Sequence, residues 1–396
     1  MQKITPADDR ELCTAIREAA ETDGSFEIVG AGTKRKLGRP VSAGALLDLS
    51  GISGVIDYRP EELVFTARAG TPLVEIEDML GDRNQILGFE PCDWAPLFGE
   101  TAGKQTLGGA IAADVGGPRR VKYGGARDHV IGCRFVNGIG ELIRAGGPVI
   151  KNVTGFDIPK LMCGAFGTLG VLTELTLRVT PRPQRANTVQ LLDCTAAAGL
   201  GALIRAAQLP VEPTGLAYLP AEALRRLSTH STSPGQVLIR IDGSSAATAE
   251  KIAVLKQEFR NLDFAVLDDV ETRILFRRIG DGAAFRGDAD LWRLCLPAAA
   301  AGKAVAMLDP GLWVADWGGG LIWLQMPASA EAATTLRHIT AEFGGHATLF
   351  RASDEARRKI SPFEPETPLR ANLTRSVKQA FDPKNLFNRG RMSEYL

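Results

Sequence analysis

Glycine placement constrains this chain more than any other feature of its sequence. The chain has 43 glycines in 396 residues, and the densest groups fall at a few sharp places in roughly the first 170 positions. No low-complexity tract accounts for them. Without a Cβ, glycine lets backbone turn sharply or approach another group closely. The first cluster, Gly30-Ala31-Gly32-Thr33-Lys34-Arg35-Lys36-Leu37-Gly38, follows the strand-like run Phe26–Val29. Consecutive N–H groups of small residues can converge on an anion, and Thr33 and Lys34 add donors. A tight strand-to-turn connection with solvated lysines is an open alternative for this loop alone. It is neither a Gly-x-Gly-x-x-Gly fingerprint nor a P-loop, because Lys34 does not precede Ser or Thr after Gly-x4-Gly.

The second cluster is Thr106-Leu107-Gly108-Gly109, continuing through Ala110, Ile111, Ala112, Ala113 and Asp114 to Gly116-Gly117. A glycine pair opening a helix offers orphan N–H groups and the dipole to a diphosphate. The alternative is a small-residue helix packed tightly on a sheet. In the third cluster Gly164, Gly167 and Gly170 run into a strand at Val171, so the backbone can lie flat against a planar group.

The length predicts two domains. Lys+Arg and Asp+Glu are equal at 46 each, so no global field attracts nucleic acid or an anionic membrane. The polar stretch Met1 to Arg10 argues against a signal peptide, and the apolar runs are too short to span a bilayer. Cys13, Cys92, Cys133, Cys163, Cys194 and Cys295 contain no CxxC, which argues against an iron–sulfur cluster, a structural zinc or a disulfide framework. The four histidines lack metal-ligand spacing. A cytoplasmic protein without a metal is expected.

Residues 11–20 read as a helix, and Phe26–Val29, Leu46–Leu49 and Val64–Ala69 as strands. Apolar residues recur at helical spacing between Pro72 and Leu80, and Val171–Val179 alternates as a half-buried strand. Thr180-Pro181-Arg182-Pro183 breaks the pattern and marks a boundary. Beyond it, strand-like runs (Thr188–Leu192, Val237–Ile241, Phe264–Leu267, Leu291–Leu296, Leu321–Met326) alternate with helix-like ones (Ala196–Gln208, Ala246–Phe259, Ala330–Phe343). This pattern predicts an α+β layer with antiparallel sheet and helices on one face. Pro362, Pro365 and Pro368 mark a second linker before a helix over Leu369–Phe381 and the tail Phe381–Met392.

The order of these motifs resembles the FAD domain of the vanillyl-alcohol oxidase/p-cresol methylhydroxylase superfamily over residues 25–181 and 381–392. The most specific piece, Lys151 to Thr173, is similar to K-x-x-x-G-[YF]-D-x-x-[KR]-L-x-x-G-x-x-G-x-L-G-[IV]-[IL]-T. Within the superfamily, Gly116-Gly117-Pro118-Arg119-Arg120 with Gly32-Thr33-Lys34 is most similar to the FAD-binding subunits of bacterial glycolate oxidases. The resemblance implies an α+β fold with a two-subdomain PCMH-type FAD-binding domain over 1–181 and an α+β cap domain over 182–350. A C-terminal helix and tail over 351–396 would return to the FAD domain. It also implies roles. Gly30, Ala31, Gly32 and Thr33, with Lys34 nearby, would bind one side of the diphosphate, and Thr106, Leu107, Gly108 and Gly109 the other. Ala112, Ala113 and Asp114 would pass near the ribityl chain or isoalloxazine. Gly164, Gly167, Gly170 and Val171 would lie along the adenosine half.

Departures from the family sharpen the expectation. Covalent attachment in this superfamily uses a His in the first glycine loop, where this chain has Thr33 and Lys34, so noncovalent FAD is implied. Related 2-hydroxy-acid dehydrogenases carry H-x-G-D-G-N-x-H in the second domain; the comparable Asp316-Trp317-Gly318-Gly319-Gly320-Leu321-Ile322-Trp323 has neither His. The family's Asn-Pro-Gly-Lys tail reads Asn388-Arg389-Gly390-Arg391, leaving open a solvated turn or a tail folded beside the flavin. The resemblance implies an FAD-bearing subunit of a multi-subunit glycolate or 2-hydroxy-acid oxidase. Its partners would be a homologous catalytic flavoprotein and an iron–sulfur subunit, with any membrane contact made through them. Two alternatives stand beside it. One is a self-sufficient dehydrogenase, with Arg119, Arg120 and Tyr123 as the local candidates for chemistry. The other is a structural subunit whose FAD only orders the fold.

Overall fold

The structure, a computed structural model, describes residues 2–147, 156–227, 233–308 and 310–395. It divides into two compact units: Met1–Val115 with Gly125–Arg182 and Ser361–Leu396, and Gly116–Gly124 with Pro183–Ile360. The second unit thus takes a short stretch from inside the expected FAD domain. It also runs to Ile360 rather than 350, because the strand His346–Arg351 and the helix Asp354–Lys359 remain part of it.

The first unit contains two principal sheets. Parallel strands Gln2–Ile4, Ala45–Asp48 and Phe26–Val29 form a three-stranded sheet in that order. Beside them the helix Asp9–Glu21 turns Leu12, Ile16 and Ala19 inward at helical spacing, and Asp8 caps it by accepting from the N–H groups of Arg10 and Glu11. Leu47, Phe26 and, from the tail, Leu386 and Phe387 complete this core. The other sheet is antiparallel and five-stranded, ordered Val55–Arg59, Val64–Arg68, Val171–Arg178, Val130–Val136 and Leu142–Gly146. Val171–Arg178 is its central strand, and Leu172 and Thr173 are buried along with Val171, Leu175 and Leu177. The half-buried strand expected from alternation is therefore covered on both faces.

The second unit is built on one antiparallel sheet of eight strands. Its spatial order is Phe264–Leu267, Arg185–Leu191, Gly235–Gly243, Gly215–Pro220, Trp313–Asp316, Leu321–Gln325, Leu291–Cys295, His346–Arg351. Alternate residues (Val237, Ile239, Ile241; Trp292, Leu294; Ile322, Leu324) enter one core with Leu203 and Leu336 from the helices Ala196–Gln208 and Ala330–Glu342. The helices are not confined to the one face expected. Asp269–Gly280 lies on the opposite face, where Thr272 Oγ1 is 3.0 Å from Thr188 Oγ1 and Phe276 lies 4.4 Å beneath the Arg240 guanidinium. Arg240 is buried, and the aromatic face gives its charge a partner that apolar packing would not.

Candidate cofactor site

The first unit holds an open groove with two adjoining lobes. The first glycine loop forms one wall as it leaves the strand Phe26–Val29, with Gly30, Ala31, Gly32, Thr33 and Lys34 all facing the space. Opposite stand Thr106, Gly108 and Gly109, continuing to Ala112 and Ala113, while Gly167 and Gly170 close the far end.

Leu107, Asp114, Gly164 and Val171 are placed elsewhere. Leu107 and Val171 are buried in the core, because the helical turn and the strand pleat direct these neighbours of groove residues inward. Asp114 faces Cys163, whose Sγ donates to Oδ1 at 3.5 Å; burial first, then the Asp114 carboxylate, push that thiol's pKa up. Gly164 donates its N–H to Ile111 O at 3.0 Å, and Phe166 donates to Ala112 O at 2.8 Å. The third cluster therefore buttresses the second. Its leading residues, Lys151 to Gly155, lie outside the described residues.

The hydrogen bonds redistribute the roles expected of the glycine loops. At the helix Leu107–Ala112 the N–H groups are already engaged: Leu107 donates to Thr71 O at 2.9 Å, Gly108 to Ala69 O at 2.7 Å, and Gly109 to Thr106 Oγ1 at 3.3 Å. At six residues this helix also supplies little dipole. Of the orphan donors expected there, those of Leu107 and Gly108 are taken up by tertiary pairing and that of Gly109 by the Thr106 cap. By contrast, among the described residues the N–H groups of Gly30, Ala31, Gly32, Thr33 and Lys34 find no hydrogen-bond partner. Gly32, at φ +73°, makes the left-handed step that turns successive N–H groups toward one point. This loop offers free donors suited to an anion, whereas the second cluster presents a flat wall beside it.

Lys34 stands at the loop's edge, with Nζ 3.2 Å from Gln105 Oε1 and 3.3 Å from Thr33 Oγ1. Burial lowers its pKa to about 8, against the opposing pull of Asp93. Such an ammonium gains from a bound anion.

The tail does fold back, and its contribution was only partly visible in the sequence. Asn388 lines the groove and bridges two walls: its Oδ1 accepts from Ile28 N–H at 2.8 Å and its Nδ2 donates to Phe166 O at 2.7 Å. Arg391 is buried, donates to the carbonyls of Arg35 and Leu37, and pairs with buried Glu27 at 3.1 Å. Ile28 and Phe166 also line the groove; as apolar neighbours of glycines, they carried no signal of their own.

The second unit answers the question of local catalytic candidates. Arg119 is buried and paired with Asp242, so it holds the fold. Tyr123 donates its N–H to Arg119 O in the same turn. Arg120 lies over the Trp317 ring, 4.8 Å from its centre. Of the histidines, His129 is buried beside Phe89, and His338 pairs with Glu342 at 3.2 Å. Among the described residues no three His, Cys, Asp or Glu side chains gather as a metal site, and no helix is long and apolar enough to cross a membrane.

A long groove walled by glycine and alanine backbone, with consecutive unpaired N–H groups and one lysine at a single place, fits an extended dinucleotide carrying one diphosphate. The FAD binding domain family matches residues 2–146. The crystal structure of p-cresol methylhydroxylase with substrate bound shares the fold at a TM-score of 0.71 and 14% identity, covering 98% of this chain and 88% of that one. The fold is that of the PCMH-type FAD-binding proteins, and FAD is the cofactor.

The glycolate oxidase subunit GlcE of Escherichia coli (strain K12) is 35% identical over 385 residues, 96% of each chain. The glycolate oxidase subunit GlcD of Bacillus subtilis (strain 168) is 28% identical over 190 residues, 48% of this chain and 39% of that one. The chain belongs to the GlcE family of glycolate oxidase subunits.

Proposed function

We propose that this chain is the FAD-bearing subunit of a multi-subunit glycolate (2-hydroxy acid) oxidase. It would oxidise glycolate to glyoxylate together with a homologous catalytic flavoprotein and an iron–sulfur subunit. Full-length similarity to GlcE carries the reading, and the unpaired N–H groups of Gly30 to Lys34 give it a physical basis. These groups and Lys34 would hold the diphosphate, while Gly109, Ala112 and Gly170 would keep the wall flat enough for the cofactor to lie against. Bound FAD supplies two-electron acceptance of hydride from an alcohol carbon.

Dependence on a partner is supported by what surrounds the substrate chemistry. Oxidising a 2-hydroxy acid requires a group that holds the carboxylate and one that takes the hydroxyl proton. In Asp316–Trp323 the only side-chain oxygen ligand is Asp316, and its Oδ1 accepts from Trp317 N–H at 2.7 Å. The chain would act in the cytoplasm, reaching a membrane only through its partners. Affinity capture from its own cell should bring down a second flavoprotein and an iron–sulfur chain in constant ratio. Capture of the chain alone, fully loaded with FAD and competent to oxidise glycolate, would contradict this assignment.

A further inference from the structure

On the eight-stranded sheet, residues alternate between the helix-packed core and the opposite face. Arg293 emerges on that opposite face, beside its cross-strand neighbour Trp323. The turn that follows Asp316 carries Trp317, a bulky residue held at φ +54°, where non-glycine backbone is strained. Its indole N–H donates to Gly117 O at 3.1 Å. That bond fixes the ring against the segment bearing Arg120, which belongs to the same unit. The Arg120 and Arg293 guanidinium carbons lie 4.8 and 5.1 Å from the Trp317 ring centre, and that of Arg293 lies 5.8 Å from the Trp323 ring centre.

Among the described residues neither guanidinium has a carboxylate partner or a side-chain hydrogen bond, and Arg293 Nε is buried without an acceptor. The cations flanking Arg120 in sequence do have such partners. Arg119 is paired with Asp242, and Lys122 with Glu212 at 2.8 Å. Two guanidinium groups gathered on one indole without a counter-anion leave a concentrated positive field. Cys295 lies two residues along the strand from Arg293. Burial pushes its thiol pKa up, yet Arg293, a hydrogen bond from His346 and Arg120 bring the net direction down.

We propose that Arg120 and Arg293, set against Trp317 and Trp323, form a receptor for the carboxylate of a small 2-hydroxy or 2-oxo acid. Guanidinium forks match a carboxylate's paired oxygens, and the indole faces hold the guanidinium planes in place. The proposal rests on the 2-hydroxy-acid reading above and names the part of that chemistry this chain carries itself: it anchors the acid without completing its oxidation.

The test is titration of the full-length, FAD-loaded chain with oxalate and with glycolate, followed by tryptophan fluorescence and calorimetry. Saturable binding is expected, weakened about tenfold or more in Arg120→Met and in Arg293→Met, with FAD content and melting temperature as in the parent. Arg120→Lys should recover part of the affinity. Arg205→Met, at an exposed arginine paired with Glu258, should leave it unchanged. Should Arg293→Met fold poorly, the half-exposed Arg120 pair of variants decides. No saturable binding by the parent, equal binding in Arg120→Met, or equal affinity for inorganic phosphate would overturn the proposal. Loss of FAD from the parent chain would instead count against the cofactor assignment, so the two failures are distinguishable.

Discussion

Gly30 and Thr106 fit against each other so closely that a Cβ built on Gly30 would stand 2.3 Å from Thr106 Oγ1. The contact joins the two walls of the groove, and the same hydroxyl accepts from Gly109 N–H. Gly30→Ala should therefore push Thr106 off its cap and narrow the groove. We expect substoichiometric FAD and a loss of roughly 1–3 kcal/mol of stability from overpacking. Adding Thr106→Ala should recover part of the stability. Gly109→Glu, which places a carboxylate toward the diphosphate, should lose FAD with less effect on folding. Stoichiometric FAD in Gly109→Glu would place the diphosphate elsewhere.

Lys34 gives FAD binding a pH signature. Its pKa of about 8 in the cofactor-free chain should rise when a diphosphate lies beside it, so binding takes up a proton above that pH. Below about pH 8 the lysine is charged in both states, and affinity is flat in this group. As pH rises through 8 toward the bound-state value, affinity should fall, by up to about tenfold per pH unit. Lys34→Met should weaken binding at pH 7 and abolish the dependence. Flavin fluorescence titrations between pH 7 and 10 measure both; an unchanged slope in Lys34→Met would remove the lysine from the site.

The tail should be necessary for the groove. Lys378 and Asp382 form a buried pair at 2.7 Å. Lys378 also donates to Thr168 O and Phe387 O, while Asp382 accepts from the N–H groups of Leu386 and Phe387. Lys378→Met leaves a buried carboxylate uncompensated, at a cost of roughly 3–5 kcal/mol. It should also release Asn388 and Arg391 from the glycine loops. Limited proteolysis should then cut within the last residues, and FAD should leak. A protected tail in that variant would show that the pair is dispensable.

How much of this was legible beforehand depended on how local each cause is. The strand Phe26–Val29, the first glycine loop and the long helices of the second unit announce themselves in short windows, where period and turn chemistry suffice. The state of the N–H groups at Leu107 and Gly108 does not, because their acceptors, Thr71 and Ala69, are brought by another segment. The strands Gly215–Pro220 and Trp313–Asp316 were missed because both are buried almost throughout and show no polar–apolar alternation. The placement of Gly116–Gly124 in the second unit has no compositional sign, and Arg120 finds Trp317 only through the fold. The tail's asparagine and arginine were visible as residues but not as anchors, since Phe166 and Glu27 lie more than two hundred positions away.

FAD should be held without a covalent bond, since the first glycine loop offers Thr33 where a histidine would be needed. Acid precipitation of the yellow protein should release all flavin to the supernatant. Colour remaining in the pellet after washing would contradict this and point to another attachment residue.

The most direct measurement of the central claim is anaerobic mixing of the FAD-loaded chain with glycolate, D-lactate and L-lactate while flavin absorbance is followed. The same mixing is then repeated with the homologous flavoprotein subunit present. The account predicts that the chain alone stays oxidised, even where oxalate titration shows the acid bound, and that flavin bleaches at a turnover-compatible rate once the partner is added. Rapid bleaching of the isolated chain by any of the three acids would contradict it.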